Sequence, residues 1–138
     1  MDHVAKCHCG EVEIICTGDP DPVVICHCEL CQRRTGSFFH IAAWFNRRSV
    51  QIKGNTKEFT RTSGDAGLPF TFNFCTNCGT SIWWLSARPD GPLRNKIGVA
   101  GGCFAEMNFP TPTISIYEKH KHSWLSLPRN IQNLNAAI

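Results

Sequence analysis

Nine cysteines in a chain of 138 residues constrain this protein more than any other feature, because seven of them fall into three tight clusters. The clusters are Cys7-His8-Cys9-Gly10, Cys26-His27-Cys28-Glu29-Leu30-Cys31 and Cys75-Thr76-Asn77-Cys78-Gly79. Thiols so close in sequence cannot staple a fold by pairing with one another, and an odd total leaves one over. A secreted disulfide scaffold is therefore disfavoured, and metal binding is expected.

A C-x-x-C turn brings two thiolates to one ion at about 2.3 Å each, and amides of the turn can donate to the sulfurs. In C-x-C an extended backbone puts both side chains on one face. The first and third clusters end in Cys-Gly, and a glycine after a ligand lets the backbone turn back under the metal with positive φ. The middle cluster lacks that glycine. This pairs Cys7 and Cys9 with Cys75 and Cys78 as a closed four-thiolate zinc site, a structural one. The 65 residues between Cys9 and Cys75 make a long loop. Its closure cost grows only as about (3/2)RT ln n, far below the roughly 10–16 kcal/mol of structural zinc.

Cys26, Cys28 and Cys31 remain as three ligands for a second zinc with an open fourth position, the coordination of a catalytic ion. A soft fourth ligand such as a small-molecule thiol suits such a site. Cys103, after Gly101-Gly102, reads as a small buried residue, with approach to the second zinc as the alternative. Cys16 reads as core, and His8 and His27 point to the opposite face from the cysteines that flank them. His120 and His122, in a Lys-His-Lys-His run, read as a solvated face, and Trp83 and Trp84 as core packing.

Hydrophobic content of 42% with 18% charged residues is that of a globular chain, and the length fits one domain over 1–138. No apolar run reaches the roughly 18 residues of a spanning helix, and no secretion signal opens the sequence. A soluble, cytoplasmic protein without a membrane partner is expected. The formal charge of +3 falls to zero once seven thiolates and two divalent ions are counted, which removes the electrostatic case for nucleic acid.

Short alternating runs predict a mainly β fold, with strands over 11–15, 23–25, 38–45, 49–52, 56–60, 69–74, 81–85, 96–99 and 113–117. A short helix is expected over 29–34, closed by Thr35-Gly36, and a frayed helix after Pro128.

These residues resemble the glutathione-dependent formaldehyde-activating enzymes, also called the centromere protein V/Gfa family. The pattern is C-H-C-G, then C-H-C-x-x-C with a basic pair and T-G, here Arg33-Arg34-Thr35-Gly36, then C-x-x-C-G. Ser123-Trp124 with Leu127-Pro128 is similar to the closing motif, so the likeness spans about 6–128 and leaves a tail at 129–138. The resemblance implies a β-tent fold of small coiled antiparallel sheets around a structural zinc, and the same two zinc sites. It also implies a zinc-dependent carbon-sulfur lyase that forms S-hydroxymethylglutathione from glutathione and formaldehyde, or acts on a related thiol adduct.

In that reading Cys26, Cys28 and Cys31 are catalytic. Arg33, Arg34 and Thr35 are candidates for glutathione carboxylates, because guanidinium forks match carboxylates. The alternative for both arginines is to offset the thiolate charge or face solvent. The rival functions are a non-catalytic zinc-binding interaction module and a thiol redox or zinc sensor.

Overall fold

Short alternating segments form eleven strands among the described residues of the computed structural model, which are 1–62, 69–86, 88 and 90–135. The first six are β1 (Asp2–Lys6), β2 (Glu13–Thr17), β3 (Val23–Cys26), β4 (His40–Asn46), β5 (Val50–Lys53) and β6 (Thr56–Arg61). Then come β7 (Phe70–Cys75), β8 (Ser81–Leu85), β9 (Lys96–Ala100), β10 (Ile114–Ile116) and β11 (Gln132–Leu134). One helix, α1 (Glu29–Thr35), follows β3. The protein is mainly β.

The strands make a small sheet ordered β1-β2-β5 and a large one ordered β11-β10-β3-β4-β9-β8-β7-β6. Strand β4 shows why the large sheet is buried on both sides at its centre. Ala43 and Phe45 join one apolar cluster with Ala5, Ile14 and Val99, under the small sheet. Ala42 and Trp44, on the opposite face, join a second cluster with Val24, Phe72, Trp84 and Leu93. The period of two along a strand separates these sets. A register shift between Asn73 and Phe74 in the β7–β8 pairing lets Ile82 and Trp83 both pack on the first cluster while Trp84 packs on the second.

Gly98 pairs with both Trp44 and Trp84 across β9, and a Cβ there would lie 2.2 Å from the Trp84 indole nitrogen. A bare backbone at this position is what lets the indole lie across the sheet.

Three parts of the fold differ from the sequence reading. Strand β1 was not foreseen, because its buried positions are His3 and Ala5, neither of which marks an apolar stripe. The expected terminal helix is instead β11, which follows Asn130 at a left-handed φ of 62° and pairs parallel with β10. This tail is rich in asparagine, a poor helix former that tolerates such turns. Finally, β10 also runs parallel to β3, with Ile116 opposite Cys26. That pairing brings the segment around Tyr117 beside the middle cysteine cluster.

Candidate metal centres

Two groups of sulfurs assemble, each with all its Sγ atoms within 4.8 Å of one another: Cys7, Cys9, Cys75 and Cys78, and separately Cys26, Cys28 and Cys31. All nine cysteines are free thiols.

The quartet joins the β1–β2 connection to the β7–β8 turn. Cys7 and Cys9 sulfurs lie 3.6 Å apart, and Cys9 and Cys75 sulfurs 3.7 Å. A tetrahedron with metal–sulfur bonds of about 2.3 Å has edges of about 3.8 Å, close to these two distances, and with the fourth sulfur, of Cys78, within 4.8 Å of the others the donor set is compatible with zinc. Both turns fold back as the glycines require: Gly10, at φ 84°, donates its amide to the Cys7 carbonyl, and Gly79, at φ 79°, donates to that of Cys75. Amides of Val12, at 3.2 Å from the Cys7 sulfur, and of Asn77, at 3.4 Å from that of Cys75, stabilise thiolate charge. The Thr80 hydroxyl and amide, with the Cys9 backbone, pull the Cys78 thiol down to about 5.

Cys103 belongs to this neighbourhood rather than to the trio. It packs on the core beneath the small sheet, where burial and then the charges of Cys7 and Cys78 push its thiol up to about 11. Cys16 is fully buried in the same core, as the alternation of β2 foretold.

The trio is assembled by a strand end and a helix start. Cys26 closes β3, Cys28 caps the N-terminus of α1, and Cys31 lies inside its first turn. The Cys28 sulfur accepts the Cys31 amide at 3.3 Å, and the Cys26 and Cys31 sulfurs are 3.5 Å apart. Glu29 in the first turn, Arg33 and Arg34 in the last, and Gly36 at φ 71° as the C-cap all match the helix polarity. The thiols of Cys26 and Cys31, then the helix amide and the charge of Arg61, make Cys28 the most acidic of the three. Among the described residues no fourth histidine, cysteine, aspartate or glutamate joins them. His27 points away, its Nε2 bonded to Ser115 Oγ at 3.0 Å.

Beside the trio lies a cavity of about 250 Å³. Arg34 forms part of its wall, donating to Ser81 Oγ at 3.0 Å and to His40 Nδ1 at 3.1 Å. Its guanidinium sits 4.5 Å from the ring centre of Phe72 and 4.9 Å from that of Trp84. Trp84 thus combines core packing with a place in the cavity wall. Arg61, across Phe72 at 5.3 Å, also lines the cavity. The Nε atoms of both arginines are buried without a hydrogen-bond partner.

Arg33 lies on the outer side of the helix, 73% exposed and 3.6 Å from Glu29. Thr35 Oγ1 donates to the Cys31 carbonyl at 2.8 Å and accepts the Ser37 amide, so its hydroxyl closes the helix.

The Lys-His-Lys-His run is not the solvated face expected of it. A turn at Glu118–His120 folds it back onto α1. His120 reaches within 3.7 Å of Glu29 at the cavity edge, and His122 Nε2 donates to Gln32 Oε1 at 2.9 Å. His40, Arg61 and Tyr117 are cavity residues that the sequence did not single out. For Tyr117 the only local sign is conformational, a non-glycine φ of 57°, which no composition rule reveals.

No helix of the described residues is long and apolar enough to cross a membrane. Comparison with known proteins gives a family and a fold. No curated protein matches the chain. A Rhodobacter sphaeroides protein of known crystal structure is similar, with a TM-score of 0.54 and 23% identity, over 76% of this chain and 90% of that one. At that identity the likeness concerns the fold alone. The model of the family described as glutathione-dependent formaldehyde-activating enzyme matches residues 2–120, a span that takes in all seven clustered cysteines. The chain therefore belongs to the glutathione-dependent formaldehyde-activating enzyme family.

Proposed function

We propose that the protein is a zinc-dependent carbon-sulfur lyase that joins glutathione to formaldehyde, or cleaves the adduct, beside Cys26, Cys28 and Cys31. The observation that carries this reading is a trio of buried thiols with no fourth protein ligand among the described residues, opening onto a cavity. A zinc ion held by the trio would lower the pKa of an incoming thiol and hold its sulfur as a thiolate.

The chain's own residues orient the substrate. Arg34, fixed by Ser81 and His40 and stacked on two rings, lines the cavity with a guanidinium whose charge suits a glutathione carboxylate. Arg61 offers a second guanidinium. Arg33 is too far out on the helix, and Thr35 too engaged in the cap, to share that task. The ring walls lower the polarity around the guanidiniums, which strengthens these contacts. The quartet of Cys7, Cys9, Cys75 and Cys78 would hold a structural zinc.

NMR exchange between free and glutathione-bound formaldehyde tests the reading. Wild type should accelerate exchange well above the spontaneous rate, and Cys28→Ser should not. A spontaneous rate for wild type carrying two zinc ions would refute catalysis and leave the interaction module.

A further inference from the structure

The cavity is far larger than a one-carbon aldehyde requires. A water-sized molecule occupies about 30 Å³, and a ring the size of benzene is held in a dry cavity of about 150 Å³. Here about 250 Å³ is open beside the trio.

The sheet register shows how that space is divided. Cys26 pairs with His40, and two residues along the strands Val24 pairs with Ala42. Two residues further along β4, Trp44 pairs with Gly98, which also pairs with Trp84, itself opposite Phe72. At about 3.3 Å per residue, the backbones of these rows lie roughly 7 and 13 Å from the thiol row, and the Trp84 ring reaches back to 4.7 Å from that of His40. The first row is aliphatic and the second aromatic, and Leu93 covers them from the loop before β9.

The polar lining residues are Glu29, His40, Tyr117 and His120 together with Arg34 and Arg61, whose guanidiniums lie against the Phe72 ring, so the wall left wholly apolar is that of Val24, Ala42, Trp44 and Leu93. A glutathione peptide, with its carboxylates and ammonium, matches the polar groups. It has nothing to set against the apolar side chains of Val24, Ala42, Trp44 and Leu93. A hydroxymethyl group on the sulfur spans two heavy atoms and does not reach them.

We propose that the aldehyde partner of this site carries a bulky apolar, ring-sized substituent, which occupies the part of the cavity lined by Val24, Ala42, Trp44 and Leu93. The inference rests on the lyase reading given above. The reaction is an addition without redox change. The thiol sulfur bonds to the aldehyde carbon, the carbonyl π bond opens, and the thiol proton ends on the oxygen, giving a hemithioacetal. The reverse step returns thiol and aldehyde.

Binding and turnover test it separately. By titration calorimetry, the inert thioether S-(2-phenylethyl)glutathione should bind at least about tenfold more tightly than S-methylglutathione, the effect of burying several apolar carbons. Ala42→Leu, which narrows the first row, should erase most of that advantage, with zinc content confirming that the variant is folded. Equal binding of the two thioethers to wild type overturns the proposal.

In NMR exchange, glutathione with phenylacetaldehyde should be accelerated over its spontaneous rate more than glutathione with formaldehyde. Acceleration for formaldehyde without a ring advantage overturns this proposal and leaves the lyase reading standing, whereas no acceleration for either overturns both. A ring advantage seen only when the ring is on the thiol, as with benzyl mercaptan and formaldehyde, also overturns it.

Discussion

The guanidinium of Arg34 donates to Nδ1 of His40 at 3.1 Å, which places the imidazole proton on Nε2 and locks the arginine against the Phe72 and Trp84 rings. A lysine cannot reproduce this geometry, since it offers a point charge without the planar fork. Arg34→Lys is expected to raise KM for glutathione about ten- to a hundredfold with a smaller change in kcat, while both zinc ions stay bound. Steady-state kinetics with metal analysis checks this, and an unchanged KM would remove Arg34 from substrate binding.

The two sulfur groups are expected to respond differently to loss of a ligand. Cys31→Ser should leave one zinc per chain and a folded protein, because the quartet is untouched. Cys75→Ser should cost more than about 3 kcal/mol or prevent folding, because its site ties the β1–β2 connection to the β7–β8 turn. Elemental analysis with far-ultraviolet circular dichroism reads both outcomes. Loss of both ions in Cys31→Ser would show that the sites are not independent.

His3 supplies a pH signature. Burial alone would lower its pKa, but hydrogen bonds to Asp19 and Glu106, 2.9 Å from Nε2 and Nδ1, raise it above 6.5 overall. A pKa raised in the folded state means that the stabilisation is complete below the unfolded value, near 6.5, and is lost as pH rises through the folded one. Asp19 is 75% exposed, so solvent screening holds the effect to about 1 kcal/mol. The stability gap between wild type and His3→Gln in urea should therefore be larger at pH 5.5 than at pH 8.5. A gap independent of pH would contradict it.

Gly98→Ala places a methyl group into the Trp84 indole. The expected cost is about 1–3 kcal/mol, read as a lowered Tm. Indole fluorescence should shift as well, because the ring must leave the cavity wall. A variant as stable as wild type would show that the indole has room to move.

Both sulfur groups were legible in the sequence because ligand spacing and the glycine after a ligand are local rules, and α1 was legible from the residues at its two ends. The cavity was not. Its walls come from Val24, Ala42, Phe72, Trp84 and Leu93, which are far apart in the chain and gathered only by strand order. Sequence periodicity reports which face of a strand is apolar but not which strands are neighbours. Strand β1 escaped for another reason, since its buried His3 is stabilised by carboxylates 16 and 103 residues away. His120 and His122 were misjudged because charge runs usually face water, and the turn that folds them back onto α1 is set by tertiary contacts.

The trio is contained in six consecutive residues, whereas the quartet spans positions 7 to 78. During synthesis the trio is complete as soon as residue 31 leaves the ribosomal tunnel, but the quartet must wait for the second half of the chain. The order in which a nascent molecule can gain its two anchor points is thus written into the distance between its ligands: the local grip is possible first, and the clasp between the β1–β2 connection and the β7–β8 turn only once residue 78 has emerged.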